Sequence, residues 1–271
     1  MPININGNTL SSSTTNSGGQ VINYKTIVSS NIVIWLDAGR SFSLYDADYY
    51  DCGYGCQYYS SDPGCTPCYN QWNDLSPRGY RGTLTNGAAY STLYGGSIQF
   101  DGSNDYVGIG DMGDFSTFTV EIWFKSNSVS NYRNPIDCNW LVYNGSYSNI
   151  GPRLEQNSSG NLTWVVGDNS GNYSGVTVVS SGLSSTPMHC AVITKSGTSS
   201  FESYYNGNYV TSTTFANWRG SMSNVNIGKG FSSSAERWFN GNVAIVRIYS
   251  TALSSTQVLQ NFNADRGRFG I

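Results

Sequence analysis

The sequence predicts an all-β fold: a two-sheet antiparallel sandwich with one short C-terminal helix. Three observations carry that expectation. The 271 residues include 31 Gly and 20 Tyr, with only 11% charged. Lys, Glu and Ala are scarce, so helix formers are few and strand and turn formers many. Short strand-like segments follow one another with turn signals between them, the pattern of a sandwich. Only one segment carries apolar residues at helical spacing.

Among the strand-like segments, NIVIWLDAG (31–39) is a short apolar run closed by a turn. GGSIQFDGSNDYVGIG (95–110) holds two strands around a Gly-Ser-Asn turn. In FTVEIWFKS (118–126), Phe118, Val120, Ile122 and Phe124 alternate with Thr119, Glu121, Trp123 and Lys125. Such a period of two predicts a half-buried strand. NLTWVVGD, HCAVITKS, SNVNIGKG and GNVAIVRIYS extend the series, and YYNGNYV (204–210) carries the Asn-Gly hairpin signal. The helix is expected in TALSSTQVLQNFNADR (251–266), where Ser254 and Gln257 have the spacing of a capping box. Leu253 and Val258 are placed as a hydrophobic staple, and Val258, Leu259 and Phe262 form its apolar stripe.

The expected organisation is a polar arm at 1–26 and a sandwich at 27–271 with a Cys-rich insertion at 46–70. The arm is rich in Gly, Ser and Thr and cannot bury enough apolar surface to hold itself, so a neighbouring subunit is expected to hold it. The first residues carry neither a basic stretch nor an apolar run, so no secretory signal is expected. No run approaches the ~20 apolar residues of a spanning helix, so membrane insertion is not expected. A net charge of −3 argues against a nucleic-acid partner held through phosphates.

The order of segments resembles the laminin-G-like, concanavalin A-like lectin domains. The residues that carry the likeness are IVIWLDAG, WNDLSPRGYRGTLTNGAAY, SIQFDGSNDYV, FTVEIWFKS and CAVITKSGTSSFESYYNGNYV, followed by NVNIGKG and FNGNVAIVRIYSTALSSTQVLQNFN. It implies a concanavalin A-like jelly-roll sandwich in which the last strand and helix close against the first strand. The start MPININGNTL, the block DLSPRGYRGTLTNG and the ending QNFNADRGRFGI are similar to lectin-like structural proteins of tailed bacteriophages, marine cyanophage-like ones among them. That likeness implies a virion protein of the capsid decoration, fibre or spike type, assembled in the host cytoplasm. Its partners would be other virion proteins through the arm, and cell-surface carbohydrate. It would act as a homo-oligomer or as part of a larger assembly. A dedicated host-recognition adhesin is the alternative reading, and a glucanase of the same fold the third.

Residue chemistry argues against an enzyme. Retaining glycosidases place two carboxylates roughly 5–5.5 Å apart, and on a strand only i, i+2 and i+4 share a face. Glu occurs at 121, 155, 202 and 236, none with an acid two or four residues away. His189 stands alone at the head of a strand, the usual setting of a structural histidine.

Cys52, Cys56, Cys65 and Cys68 sit in the insertion as two close pairs. Two readings stay open: a structural zinc held by four thiolates, or two disulfides. Either staples a loop too small to hold itself. Cys138 and Cys190 lie in strand-like text and are expected as core thiols, with a mutual disulfide only if their strands adjoin. A lectin-like sandwich implies calcium held by Asp and Asn oxygens. The candidates are Asp101, Asn104 and Asp105, and Asp168 and Asn169, against the alternative that these are ordinary turn residues. Tyr173, Trp218 and Trp238 are candidates to stack on sugar rings or to pack at an interface.

Overall fold

The computed structural model describes residues 13–15, 21–23, 27–40, 71–128, 132–138, 140–143, 146–149, 151–168, 172–180, 182–183, 188–216, 218, 221–231 and 236–271. With strands numbered along the chain, the first sheet runs β15 (Tyr173–Val179), β14 (Leu162–Gly167), β13 (Arg153–Gln156), β10 (Arg133–Asp137), β19 (Val225–Ile227), β8 (Tyr106–Gly110), β5 (Arg81–Thr85) and β4 (Gln71–Asn73). The second runs β18 (Asn208–Thr214), β17 (Ser200–Tyr205), β16 (His189–Ser196), β9 (Phe118–Ser126), β22 (Asn240–Tyr249), β7 (Ser97–Asp101) and β6 (Ala89–Ser91). There β3 (Ile32–Asp37) takes the free half of β22. Neighbouring strands in both sheets pair antiparallel. Three ribbons stand apart: β1 (Ser13–Thr15) with β2 (Val21–Asn23), β11 (Trp140–Tyr143) with β12 (Ser146–Asn149), and β20 (Lys229–Phe231) with β21 (Glu236–Trp238). The first ribbon lies inside the segment expected to be an extended arm; the rest of that segment, and the four cysteines of the insertion, fall outside the described residues.

β22 organises the second sheet. It pairs with β9 along one side; on the other, β7 takes Asn240–Val243 and β3 takes the residues from Ile245. The pairing with β9 shifts between Val243 and Ile245. Val243, Val246 and Ile248 point between the sheets, while Ala244 and Ile245 both face outward. Two residues opposite one is a β-bulge, and the extra outward position is Ala244. Its carbonyl accepts from the Ala38 N–H at 3.0 Å. The strand that the family resemblance placed last does close against the first strand of the sandwich.

The inter-sheet core takes alternate residues of both sheets. Phe118, Val120, Ile122 and Phe124 of β9 meet Val107, Ile136, Leu154, Trp164 and Ile227 from the facing sheet. The expectation of a half-buried β9 needs correction, because its other face is buried too. Thr119, Glu121 and Trp123 have at most 1% of their surface exposed. The reason is α1 (Ser255–Phe269), which lies across the outer face of the second sheet. Ser254 caps α1 by accepting from the Gln257 N–H, and the Gln257 side chain answers to the Ser254 N–H at 3.0 Å, the predicted capping box.

Val258 and Phe262 are buried as expected, but Leu259 is 43% exposed. Asn261 and Asp265 take the inward positions that an apolar stripe would have filled. Phe262 stacks on Trp123 with centroids 5.5 Å apart, and it comes so close to the β17–β18 turn that a Cβ on Gly207 would lie 2.7 Å from its ring. That turn is the predicted Asn-Gly hairpin, with Asn206 and Gly207 both at positive φ.

Polar groups join α1 to the sheet. Arg247, fully buried, donates to Glu121 Oε1 at 2.7 Å and to Asp265 Oδ2 at 2.6 Å. Asn261 donates to Glu121 Oε2 at 2.8 Å and to the Tyr249 hydroxyl at 2.9 Å, and accepts from the Val28 N–H at 2.8 Å. Trp123 Nε1 donates to Glu121 Oε1 at 2.8 Å. At the far end of the helix Arg268 donates to Asp37 Oδ1 at 2.6 Å and to the Tyr94 carbonyl at 3.0 Å.

Candidate functional site

Among the described residues no helix lies across the outer face of the first sheet, and its register sets out a row of side chains. Gln71 of β4 pairs with Thr83 of β5, Thr83 with Gly108 of β8, and Gly108 with Asn226 of β19. Val107, Val225 and Ile227 point into the core, so the residues alternating with them face outward. Thr83 is exposed, and Gln71, Gly108 and Asn226 are half-buried. Asn226 Nδ2 donates to the Asn224 carbonyl at 3.0 Å, which leaves Oδ1 on the side of Gly108. A Cβ on Gly108 would find its nearest described neighbours in Tyr106, at 3.5 Å, and Asn226 Oδ1, at 3.9 Å. Gly110, one outward position along, has none of the described residues within 4 Å of where its Cβ would be.

A wall rises beside this floor. Lys229 of β20 lies opposite Trp238 of β21, so both side chains share one face of the ribbon. The Lys229 ammonium is 4.9 Å from the ring centroids of both Trp238 and Tyr106, and the rings are 6.2 Å apart at 41°. Each contact is a cation–π attraction. The ribbon is fixed from below: Arg133 donates to the Trp238 carbonyl at 2.7 Å, and a Cβ on Gly230 would collide with Asn134. On its other face Arg237 pairs with Glu155, which also meets Arg153 at 3.3 Å, and stacks over Tyr132 at 4.7 Å.

The predicted site residues fall in separate places. Trp238 stands in this wall. Tyr173, 68% exposed, begins the edge strand β15. Trp218 is packed against Phe118 and Phe201, at 5.3 and 5.5 Å, with its Nε1 buried; it extends the core rather than presenting a free ring. Asp101 Oδ1 accepts from the Ser103 N–H at 2.7 Å, and Asp105 Oδ2 from the Asp101 N–H at 2.9 Å. Asn104 contributes its carbonyl to Asn86 Nδ2 at 2.8 Å. Asp168 receives both the N–H and the Nδ2 of Asn172 at 2.9 Å. In both loops these carboxylate oxygens accept from N–H groups of the same turn, while Asp105 Oδ1 is buried with no hydrogen-bond partner among the described residues. Among the described residues no group of three His, Cys, Asp or Glu side chains is placed to hold a metal. Asn169 and Cys52, Cys56, Cys65 and Cys68 lie outside the described residues.

Cys138 and Cys190 are both free thiols. Cys138 lies in the inter-sheet core and Cys190 on the outer face under α1. Burial raises the pKa of both well above the ordinary thiol value, and Glu121 adds to the rise at Cys190. His189 is 1% exposed, with Nδ1 2.5 Å from the Tyr205 hydroxyl, whose pKa burial pushes up to about 12. Burial also raises Asp265, against the pull of Arg247. Lys229 and Tyr106, which sequence reasoning missed, carry no motif; the Lys-Gly-Phe…Glu-Arg-Trp hairpin was the available signal.

Residues 101–259 match a family model described as the concanavalin A-like lectin/glucanases superfamily, of laminin G type. No curated protein matches the chain. Among solved structures, the binding domain of botulinum neurotoxin DC in complex with SialylT superposes with a TM-score of 0.62 at 10% identity, covering 88% of this chain and 52% of that one. The receptor binding domain of the botulinum neurotoxin C/D mosaic serotype gives 0.60 at 14% identity, covering 87% and 52%. The serotype D binding domain gives 0.61 at 13%, again covering 87% and 52%. The chain thus spans about half the length of these neighbours, and at such identities the likeness is one of fold.

Proposed function

Because the chain belongs to the concanavalin A-like lectin/glucanases superfamily, we propose that it is a non-catalytic, carbohydrate-recognising domain displayed on the surface of a bacteriophage particle. The observation that carries the choice of binding over catalysis is the state of the glutamates. Glu121 is enclosed by Arg247, Trp123 and Asn261 beneath α1. Glu155 is held between Arg153 and Arg237, and Glu202 accepts from the Tyr204 hydroxyl at 2.6 Å. A glycosidase needs two carboxylates open to one sugar bond; these three serve the fold.

Carbohydrate recognition is also in keeping with the neurotoxin domain solved with SialylT. The virion assignment rests on the sequence alone, on DLSPRGYRGTLTNG and QNFNADRGRFGI and on a polar segment suited to docking against other virion proteins. In the same reading, zinc or two disulfides at Cys52, Cys56, Cys65 and Cys68 staple the insertion.

A glycan array probed with the full chain tests recognition, and deletion of residues 1–26 followed by sedimentation of particles tests attachment. Binding of a defined glycan set, with the deleted form lost from particles, supports the proposal. A chain that binds no glycan would show the role to be structural only. Hydrolysis of a β-glucan, abolished by Glu121→Gln or Glu155→Gln, would overturn the non-catalytic reading.

A further inference from the structure

We propose that β18, the open edge of the second sheet, pairs with β18 of a second copy of this chain, so that two second sheets join into one across a two-fold axis. The inference goes beyond the carbohydrate-binding reading and does not depend on it.

An edge strand presents unpaired N–H and C=O groups, and folded chains guard such edges by shortness, cover, charge or proline. The other edges of the two sheets are guarded. β4 and β6 are three residues each. β3 is covered by residues 74–76: the Trp35 N–H donates to Asp74 Oδ1 at 2.8 Å, and the Leu75 N–H to the Trp35 carbonyl at 2.8 Å. β15 turns against the second sheet, where its Thr177 carbonyl accepts from Ser203 Oγ at 2.6 Å. Among the described residues nothing of this kind shields β18. It is seven residues long, each of them exposed or half-buried, and the sequence carries no charged residue and no proline from Ser203 to Trp218. A bulge at Val210 interrupts its first half, and Thr211–Thr214 then pair regularly with β17.

The register shows which groups are free. The Phe215 N–H donates to the Ser199 carbonyl at 2.8 Å, so these residues form a hydrogen-bonded antiparallel pair. Thr213 with Phe201 is the next such pair, and Thr211 with Ser203 the one after. The backbone groups of Ser212 and Thr214 therefore point away from β17, and both side chains are exposed. Turned about a two-fold axis through Thr213, the strand meets itself with Ser212 opposite Thr214 of the second copy. Each N–H freed on one strand then faces a freed C=O on the other. Thr213 faces its own copy in the non-hydrogen-bonded position. Val210, Thr211, Thr213 and Thr214 are β-branched and suit a pleated surface. Such a self-complementary patch is the isologous contact of a two-fold dimer. With the axis perpendicular to the shared sheet, the outer faces of both first sheets open on one side. Two copies would engage a surface together, with the gain in avidity that joint attachment brings.

Sedimentation equilibrium of the full chain over a range of concentrations tests this, and a monomer–dimer equilibrium is expected. Thr214→Pro removes an N–H that serves no bond to β17, at the kind of edge position where proline is tolerated. It should leave the thermal midpoint unchanged and weaken dimerisation roughly tenfold or more, because each copy loses a donor. Ser212→Lys, an exposed position, sets like charges across the axis and should weaken it too. Thr213→Cys, treated with oxidised glutathione, should form a disulfide between the two copies, read by peptide mass spectrometry. Facing Cα atoms in a non-hydrogen-bonded pair lie ~4.5 Å apart, within disulfide reach. Thr211→Cys, off the axis, should not link to itself. A chain that stays monomeric at every concentration would overturn the proposal. So would a dimer that withstands both Thr214→Pro and Ser212→Lys, or one in which the thiols introduced at position 213 fail to link.

Discussion

The two faces of β9 are buried by different means. Toward the first sheet, Phe118, Val120, Ile122 and Phe124 enter the apolar core, with the His189 ring beside Phe124 at 5.7 Å. Toward α1, Glu121 and Trp123 enter a network with Arg247, Asn261 and Asp265 in which each contact has a direction. Apolar packing depends on volume and tolerates exchange, whereas a buried ion pair depends on both partners being present. Hydrophobic contact would seat a helix on a sheet in several positions, whereas hydrogen bonds to Glu121, Tyr249 and the Val28 N–H select one.

The largest break in this comparison should come from Arg247→Met. It leaves Glu121 and Asp265 buried without a cation, and urea denaturation should show a loss of about 3–5 kcal/mol. Ile122→Val, on the apolar face of β9, should cost about 1 kcal/mol in the same assay. Should the two losses prove equal, the distinction between the faces fails.

Alkaline pH sharpens the comparison next. Burial raises the folded pKa of Cys138 and Cys190, so each thiol remains neutral in the native state after it would ionise in the unfolded chain. Their contribution is intact below about pH 8.5 and is lost above it, at about 1.4 kcal/mol per pH unit for each thiol. Replacing either by Ala should flatten that slope. Iodoacetamide labelling read by peptide mass spectrometry should separate the faces: Cys190, under a helix, should react before Cys138, between two sheets. Simultaneous labelling would mean that the faces open as one unit.

Smaller effects follow at the helix itself. Ser254→Ala removes the cap and should lower stability by about 1 kcal/mol in thermal unfolding. Leu259→Ser alters an exposed position and should change the thermal midpoint by less than the equivalent of about 0.5 kcal/mol. A larger loss there would point to a partner on that side of α1.

Much of the fold was legible because strand alternation, the Asn206-Gly207 turn and the Ser254–Gln257 box are local signals. What was missed is non-local. Period-two alternation in residues 118–126 cannot reveal that a helix some 130 residues later covers the polar face. Nor can helical spacing show that Asn261 and Asp265, and not Leu259, turn inward, because their partners Glu121 and Arg247 are supplied by the sheet. The same limit applies to the site. Trp238 could be picked out as an aromatic, but Tyr106 and Lys229 meet only once β8 and β19 are in register. Trp218 looked like a loop residue, and its packing against Phe118 and Phe201 is again long-range.

The hydrogen bond from the Val28 N–H to Asn261 fixes where the chain enters the sandwich. Entry lies behind the second sheet, beside α1, while the Gln71–Thr83–Gly108–Asn226 row lies on the far side of the first. One side-chain amide thus sets the point of entry and that row on opposite sides of the sandwich, with both sheets between them.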